Sequence, residues 1–468
     1  MSTASFDLTG RRVLVMGLGA HGGGISTARY CAQNGADVTV TDLRSEEELA
    51  GSLRQLEEPA IRLVLGEHRE QDFREADLVV KNPAVPRSSP YLRYANRIET
   101  DISLFLSRHR GEIYAITGTK GKSTTATALH FILSADDPSV RLGGNITVSP
   151  LSFAAELTGA EAVVLELSSF QLGDLLLTPA GRRGRLPRFA VGAITNLLHD
   201  HQDYYESMDA YAADKTIVFR GQQAADWILL SSDDEYSRSF RPPVAQRTIR
   251  LTGGPLLDAI GAGTVAGKGC ANIPALGFTL PVELVPESLK VIGEHQRTNL
   301  LFAATAAALL GRDPRKIRER IASFGGIPHR LEFVRSVAGI DYYNDSAATI
   351  AEAARAAVAG FDRPVHLIAG GSDKGLPLQP FEEIARTVKS LHLLPGTATQ
   401  RLSAMLRVRG GDYTGPHDTL QEALHAAMMS ARPGAVVLLS PGCASFGMFR
   451  DEFDRGDQFR TLVKRLKA

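Results

Sequence analysis

Gly118-Thr119-Lys120-Gly121-Lys122-Ser123-Thr124-Thr125 combines the residue types that hold a polyphosphate. The stretch follows an apolar run, Ile113 to Thr117, and precedes a helical pattern, Thr124 to Leu133. In a turn of this kind the backbone N–H groups cradle phosphate oxygens. Lys122 then neutralises the β and γ oxygens, and the Ser123 hydroxyl is placed to hold Mg²⁺. The longer phosphate loop has a further glycine five residues before the Gly-Lys pair. Ile116 stands there, so this is the shorter G-x-x-G-K-S form.

Two further groups belong with it. Glu166 lies inside the apolar run Ala162 to Leu167, and a buried carboxylate is costly unless it is paired or holds a metal. His199-Asp200-His201-Gln202-Asp203 follows another apolar run, Phe189 to Thr195. Histidines and acids at the carboxyl end of a strand are placed to meet ligands in an α/β protein.

A second glycine turn, Gly17-Leu18-Gly19-Ala20-His21-Gly22, matches G-x-G-x-x-G directly after the run Arg12 to Met16. Such glycines let a pyrophosphate approach the N-terminus of the next helix. Asp42 follows twenty residues after Gly22, at the end of the next run, where an acid binds a ribose hydroxyl. The turn alone does not separate NAD from another diphosphate nucleotide.

These groups need a framework of strands and helices. Arg12 to Met16, Asp37 to Thr41 and Ala76 to Val80 read as strands, with a helix from Ile25 to Asn34. Strand, helix and strand within about 30 residues indicate a parallel α/β sheet. Polar Arg108 to Glu112 reads as a linker. A second α/β region carries strands at Ile113 to Thr117, Ala162 to Leu167 and Phe189 to Thr195. Residues 240 to 285 read as irregular β structure, and Asn299 to Leu310 as the closing helix. A third region has strands at Ile340 to Tyr343, Pro364 to Ile368 and Ala435 to Leu439.

Composition narrows the class. The 468 residues suit about three domains. Lys plus Arg equals Asp plus Glu, 52 against 52, so no overall field gathers nucleic acid or anionic lipid. The basic segment 182–188 has no interleaved aromatic residues and reads as a solvated loop. The three cysteines, Cys31, Cys270 and Cys443, form no paired motif, and Cys443 reads as packing. There is no leader pattern and no long apolar stretch, so a cytoplasmic protein that does not engage membranes is expected.

Taken in order, the phosphate loop (118–125), Gly144-Asn145-Ile146, Glu166 to Leu172 (ELSSFQL), Asn196 with Asp200-His201, Gly325 to Glu332 (GGIPHRLE), Asn344-Asp345-Ser346, Gly370 to Gly375 and Ser440 to Ser445 resemble the Mur ligase family. The likeness is to its glutamate-adding branch and covers essentially the whole chain. It implies three α/β domains: a Rossmann-like domain (1–108), a central phosphate-loop ATPase-like domain (109–312) and a C-terminal Rossmann-like domain (313–468). They would bind, respectively, the UDP of UDP-N-acetylmuramoyl-L-alanine, ATP with Mg²⁺, and glutamate. The glycine turn would then serve UDP, not NAD. A folylpolyglutamate synthase would lack the N-terminal nucleotide domain, and an oxidoreductase would leave residues 118–125, Glu166 and His201 without a role.

By motif position, the resemblance assigns Gly118, Thr119, Lys120, Gly121, Lys122, Ser123, Thr124, Asn299, Arg330 and Asp345 to ATP. Gly19, Ala20, His21, Asp42, Arg44, Asn145, Ser168 and Gln171 go to the UDP substrate. Ser123 and Glu166 would hold one Mg²⁺ and His201 would help hold another. Lys215 matches a lysine that the family carbamylates with CO₂; judged by its helix alone it would be a solvated surface residue. Lys122, Glu166, His201 and Lys215 form the catalytic set, and a monomer is expected. Thr349, Lys374 and Ser445 would hold glutamate. The D-glutamate enzymes carry a lysine where this chain has Ala347, and an aromatic where it has Glu452, with Phe453 one place later. Those departures lead to the expectation of L-glutamate as the amino acid added, with the same ligation of D-glutamate as the alternative.

Overall fold

The computed structural model describes residues 7–467 except 20–21, 57–60, 147, 202–203, 243–246, 257–259 and 279, and leaves the side chain of residue 294 undescribed. Ala20 and His21, two of the expected UDP contacts, therefore lie outside the described residues. The chain forms two compact units, residues 1–287 with 297–321, and residues 288–296 with 322–468.

The first unit holds two sheets. The first sheet is built from β1 (Arg12–Met16), β2 (Asp37–Asp42), β3 (Arg62–Leu65), β4 (Leu78–Lys81) and β5 (Ile98–Glu99) in the order β3-β2-β1-β4-β5. All its pairings are parallel. The apolar run of β1 is buried from Val13 to Met16, as a strand covered on both faces requires. The second sheet contains β6 (Ile113–Thr117), β7 (Arg141–Gly144), β8 (Val163–Glu166), β9 (Val191–Ile194), β10 (Trp227–Ser231), β11 (Thr248–Pro255), β12 (Gly261–Val265), β13 (Lys268–Asn272) and β14 (Val282–Val285). Its order is β14-β13-β12-β11-β10-β9-β6-β8-β7. Only β12-β13-β14, from the segment read as irregular β structure, pair antiparallel.

The expected boundary near residue 108 does not divide compact units. Val13, Ile25, Leu104, Phe105, Ile113 and Leu165 belong to one continuous apolar cluster. The helix Asp101–Arg108 joins the two sheets from within: its Phe105 ring meets Phe153 edge-on at 6.1 Å, and Arg108 donates to Asn34 Oδ1 at 2.7 Å. That burial makes the first two α/β domains one body.

The second unit is a single sheet of β15 (Glu332–Val337), β16 (Ile340–Asn344), β17 (Val365–Ala369), β18 (Ser390–Leu393) and β19 (Val436–Leu439), ordered β15-β16-β19-β17-β18. β15 pairs antiparallel and the others parallel. Cys443 is buried in its core and its thiol is pushed up to about 11 by burial, which fits packing and not nucleophilic chemistry.

Beside β18 runs a chain of alternating imidazoles and hydroxyls. His366 Nδ1 meets Ser390 Oγ at 2.7 Å, Ser390 Oγ meets His392 Nε2 at 2.7 Å, and His392 Nδ1 meets Thr414 Oγ1 at 2.8 Å. Burial, with His417 and His366 nearby, lowers His392 to about 4. The unfolded chain therefore binds more protons between its ordinary 6.5 and 4, so stability is lost as pH falls through that window. Thermal unfolding of the full chain from pH 7 to pH 4 should lose at most about 3 kcal/mol from this group. His392→Gln should flatten that slope; an unchanged slope would remove the assignment.

Candidate active site

The site is assembled at the carboxyl ends of β6, β8 and β9. Registry places Ile116 opposite Glu166 and Thr117 opposite Ile194, so the loops after these three strands converge. The phosphate loop turns from β6 into the helix Lys122–Leu133 through two glycines with positive φ, Gly118 (145°) and Gly121 (84°). Neither accepts a Cβ without a local shift. A Cβ on Gly118 would lie 2.0 Å from Thr195 Oγ1, and one on Gly121 would lie 2.1 Å from Asn299 Oδ1. Asn196 fixes the loop from β9: its Oδ1 accepts from Lys120 N at 2.9 Å and its Nδ2 donates to Lys120 O at 3.1 Å.

Three ionic groups meet there. Lys122 Nζ donates to Thr119 O at 2.9 Å. Burial lowers its pKa and the Glu166 carboxylate opposes that shift. Glu166 is buried; Oε1 accepts from Asn145 Nδ2 at 3.2 Å, and Oε2 is buried without a hydrogen-bond partner. Lys215 is not the solvated residue its helix position suggests. It is 2% exposed, donates to Gly118 O at 2.9 Å and lies 4.6 Å from the Tyr211 ring centroid. Burial, with repulsion from Lys122, lowers it to about 7, so much of the amine is neutral near physiological pH.

His201 is exposed, with φ of 54°, and its ring meets Phe170 at 4.9 Å. Its neighbour Asp200 pairs with Lys120 at 3.2 Å. Among the described residues no group of three or more His, Cys, Asp or Glu side chains could hold a metal ion. An unpaired buried carboxylate beside a phosphate loop does suit Mg²⁺, which binds one or two carboxylates together with substrate phosphates.

A cleft of about 700 Å³ lies between the first two sheets. It is lined by Gly19, Asp42, Arg44, Asn145, Ser168 and Gln171. Asp42 already has partners: Oδ2 accepts from Leu18 N at 2.9 Å and Oδ1 from Arg44 Nε at 3.1 Å. Burial alone would raise its pKa, but the hydrogen bonds from Arg44 and Gly19 hold it low. It braces the glycine turn and leaves the Arg44 guanidinium on the cleft wall. Ser168 and Gln171 form a reciprocal capping box at the start of the helix Ser169–Asp174. Residues 82–86 form a wall the sequence did not single out; the only local signal was a proline-rich turn after a strand. The tyrosines at 204, 205 and 211 were also missed as neighbours of the loop and of Lys215.

In the second unit Asp345 accepts from Leu331 N at 3.1 Å and from Ser440 Oγ at 2.6 Å, and burial raises it to about 6. Arg330 is exposed. Lys374 Nζ donates to Thr349 Oγ1 at 3.1 Å. A bridge between Ser372 and Ala444 brings the loop before Lys374 beside Ser445, whose buried Oγ has no hydrogen-bond partner.

Three family models match the chain: the Mur ligase MurD-like N-terminal domain over residues 11–103, the Mur ligase middle domain over 116–307 and the Mur ligase glutamate ligase domain over 329–443. Curated relatives extend the match from end to end. The chain is 42% identical to a UDP-N-acetylmuramoylalanine--D-glutamate ligase of Roseiflexus sp., covering 98% of this chain and 99% of that protein. The chain belongs to the Mur ligase family. A protein of the same name from Treponema pallidum is 36% identical over 99% of both chains. The UDP-N-acetylmuramate-alanine ligase of Thermotoga maritima shares the fold, with a TM-score of 0.52 at 19% identity over 98% of this chain and 100% of that one.

As a Mur ligase, the protein is an ATP-dependent ligase of peptidoglycan synthesis with three α/β domains. Among its described residues no helix is long and apolar enough to cross a membrane. The expectation of an L-glutamate enzyme is corrected: the full-length relatives, from Geobacter metallireducens at 36% identity as well as those above, carry the D-glutamate name. The physical reason is local. Loss of a lysine at Ala347 removes a charge but does not say where the α-carbon substituents point. The Lys374–Thr349 contact stays in place, and the Phe453 ring packs against His329 at 5.5 Å.

Gly118→Ala should leave the protein folded but weaken ATP binding on the order of 10²-fold, because the loop must move to relieve the contact with Thr195. Titration of ATP into parent and variant measures this; unchanged affinity would dissociate the loop from the nucleotide.

Proposed function

We propose that the protein joins D-glutamate to the alanyl carboxylate of UDP-N-acetylmuramoyl-L-alanine through an acyl phosphate. The observation that carries this reading is Asn145. It lines the cleft assigned to the UDP substrate and, through the same side chain, donates to Glu166 beside the phosphate loop. A substrate held along that cleft would end next to the γ-phosphate of ATP. The curated relatives' names support the choice of D-glutamate.

A carboxylate is a poor acyl donor, so its oxygen first takes the γ-phosphoryl group from ATP and ADP leaves. The amine of glutamate then attacks the acyl carbon, and phosphate departs from the tetrahedral adduct. Gly118 to Gly121 would hold the triphosphate by backbone N–H groups, with Lys122 compensating charge as the phosphoryl group passes. By the family resemblance, Asn299, Arg330 and Asp345 would serve as further nucleotide contacts. Ser123, Glu166 and His201 would hold Mg²⁺, which when bound neutralises phosphate charge. Lys215, with its pKa near 7 and its buried setting, would react as the neutral amine with CO₂, releasing a proton and gaining a carboxylate that serves the second cation. Thr349, Lys374 and Ser445 would fix the two glutamate carboxylates.

Lys122→Ala should lower turnover by at least ~10³-fold while UDP-substrate affinity stays nearly unchanged. Phosphate release and a binding titration check both halves; near-normal turnover would remove the ATP assignment. Lys215→Ala should be strongly impaired and partly restored by short-chain carboxylates, whereas wild-type activity would count against carbamylation. In parallel assays D-glutamate should support faster turnover than L-glutamate, and the reverse order would overturn the proposed substrate.

A further inference from the structure

The ligation chemistry leaves one buried charged cluster without a role. Lys81, the last residue of β4, and Asp174, the last residue of the helix Ser169–Asp174, form an ion pair of 2.5 Å with both side chains fully buried. Asp174 Oδ1 lies 3.8 Å from Arg87 Nε. Arg87 forks onto Asp214, with Nη1 at 3.3 Å from Oδ1 and Nη2 on Oδ2. Tyr205 OH donates to Asp214 Oδ2 at 2.8 Å, and the backbone N–H of Arg87 donates to Tyr204 OH at 3.3 Å. Gly173 makes room for the junction: a Cβ there would lie 2.3 Å from Asp214 Oδ2 and 2.8 Å from Arg87 Nη1.

The two ends of this cluster matter. Arg87 directly follows residues 82–86, which line the UDP-substrate cleft, and Ser89 lines it again. Asp214 directly precedes Lys215 on the helix Met208–Arg220. One short segment thus faces the substrate with its turn and grips the lysine-bearing helix with its next side chain. A bidentate guanidinium–carboxylate pair fixes both distance and angle. The Lys81–Asp174 pair anchors the same segment, since Lys81 Nζ also donates to Asn82 O at 3.2 Å.

We infer that Arg87 is a positioning residue for the ligation: its pair with Asp214 ties the wall of the UDP-substrate cleft to the helix that carries Lys215. This rests on the proposed role of Lys215 in catalysis. Arg87 need not touch any reactant. A substrate seated against residues 82–86 sets the place of Arg87, and Arg87 sets the place of the Lys215 amine over the phosphate loop. Misplacement of a catalytic group by about 1 Å costs up to about 10²-fold in rate, so loss of the fork should appear in kcat and not in substrate binding.

The test compares Arg87→Met and Arg87→Lys with the parent in the full chain, reading kcat, the KM for the UDP substrate and the melting temperature. Arg87→Lys keeps the charge and loses the fork, and it decides the matter if Arg87→Met fails to fold. Both should lower kcat by about 10- to 100-fold with the UDP-substrate KM within about 3-fold. Arg87→Met should add little further loss in a Lys215→Ala background restored with a short-chain carboxylate, because groups acting through one another are not additive. An effect on KM alone, or a loss that multiplies onto Lys215→Ala, would overturn the inference. If Lys215→Ala itself is fully active, the underlying reading of Lys215 fails instead, and the two failures are told apart by that one control.

Discussion

A buried charge has to be answered, and at the carboxyl ends of β6 and β8 the protein answers only part of it. Glu166 Oε2 is buried without a hydrogen-bond partner, and Lys122 and Lys215 direct their Nζ atoms at carbonyl oxygens of the phosphate loop. Leaving an ionised carboxylate unmatched in a low-dielectric interior is expensive. The rest of the first unit is arranged around that imbalance. Parallel strands place the three loops together, left-handed glycines bring the backbone close, and the continuous apolar cluster keeps the first two α/β domains in one body. The unmet charge is what a triphosphate and its cation would complete.

The parts of the site that were legible in the sequence are those whose chemistry is written locally. The phosphate loop could be read because strand, glycine turn, Gly-Lys-Ser and helix are consecutive. Glu166 could be read because one acid interrupts an apolar strand. Asp42 lines the cleft, yet its carboxylate braces the glycine turn and Arg44, since a side chain two residues away reaches it first. Lys215 gave no signal of burial: the helix Met208–Arg220 is apolar on several sides, and only tertiary packing decides which are covered. The Lys81–Asp174 and Arg87–Asp214 pairs join residues 93 and 127 apart along the chain, a separation that no local pattern encodes.

The same limit explains the enantiomer. A missing lysine at 347 is visible in a single sequence, whereas the direction from which glutamate presents its amine depends on several side chains held by separate loops. In the second unit those loops are fixed from behind by Arg455, a fully buried guanidinium that donates to Ser346 O at 2.9 Å and Cys443 O at 3.2 Å. A buried cation thus lies beside the Asn344-Asp345-Ser346 motif, supplied from 109 residues along the chain.

The account depends most on the substrate carboxylate being phosphorylated before the amine attacks. UDP-N-acetylmuramoyl-L-alanine labelled with ¹⁸O in its alanyl carboxylate, turned over with ATP and D-glutamate, tests this by mass analysis of the phosphate released. An acyl phosphate transfers one labelled oxygen to each phosphate formed. Phosphate free of label, released together with the amide product, would contradict it.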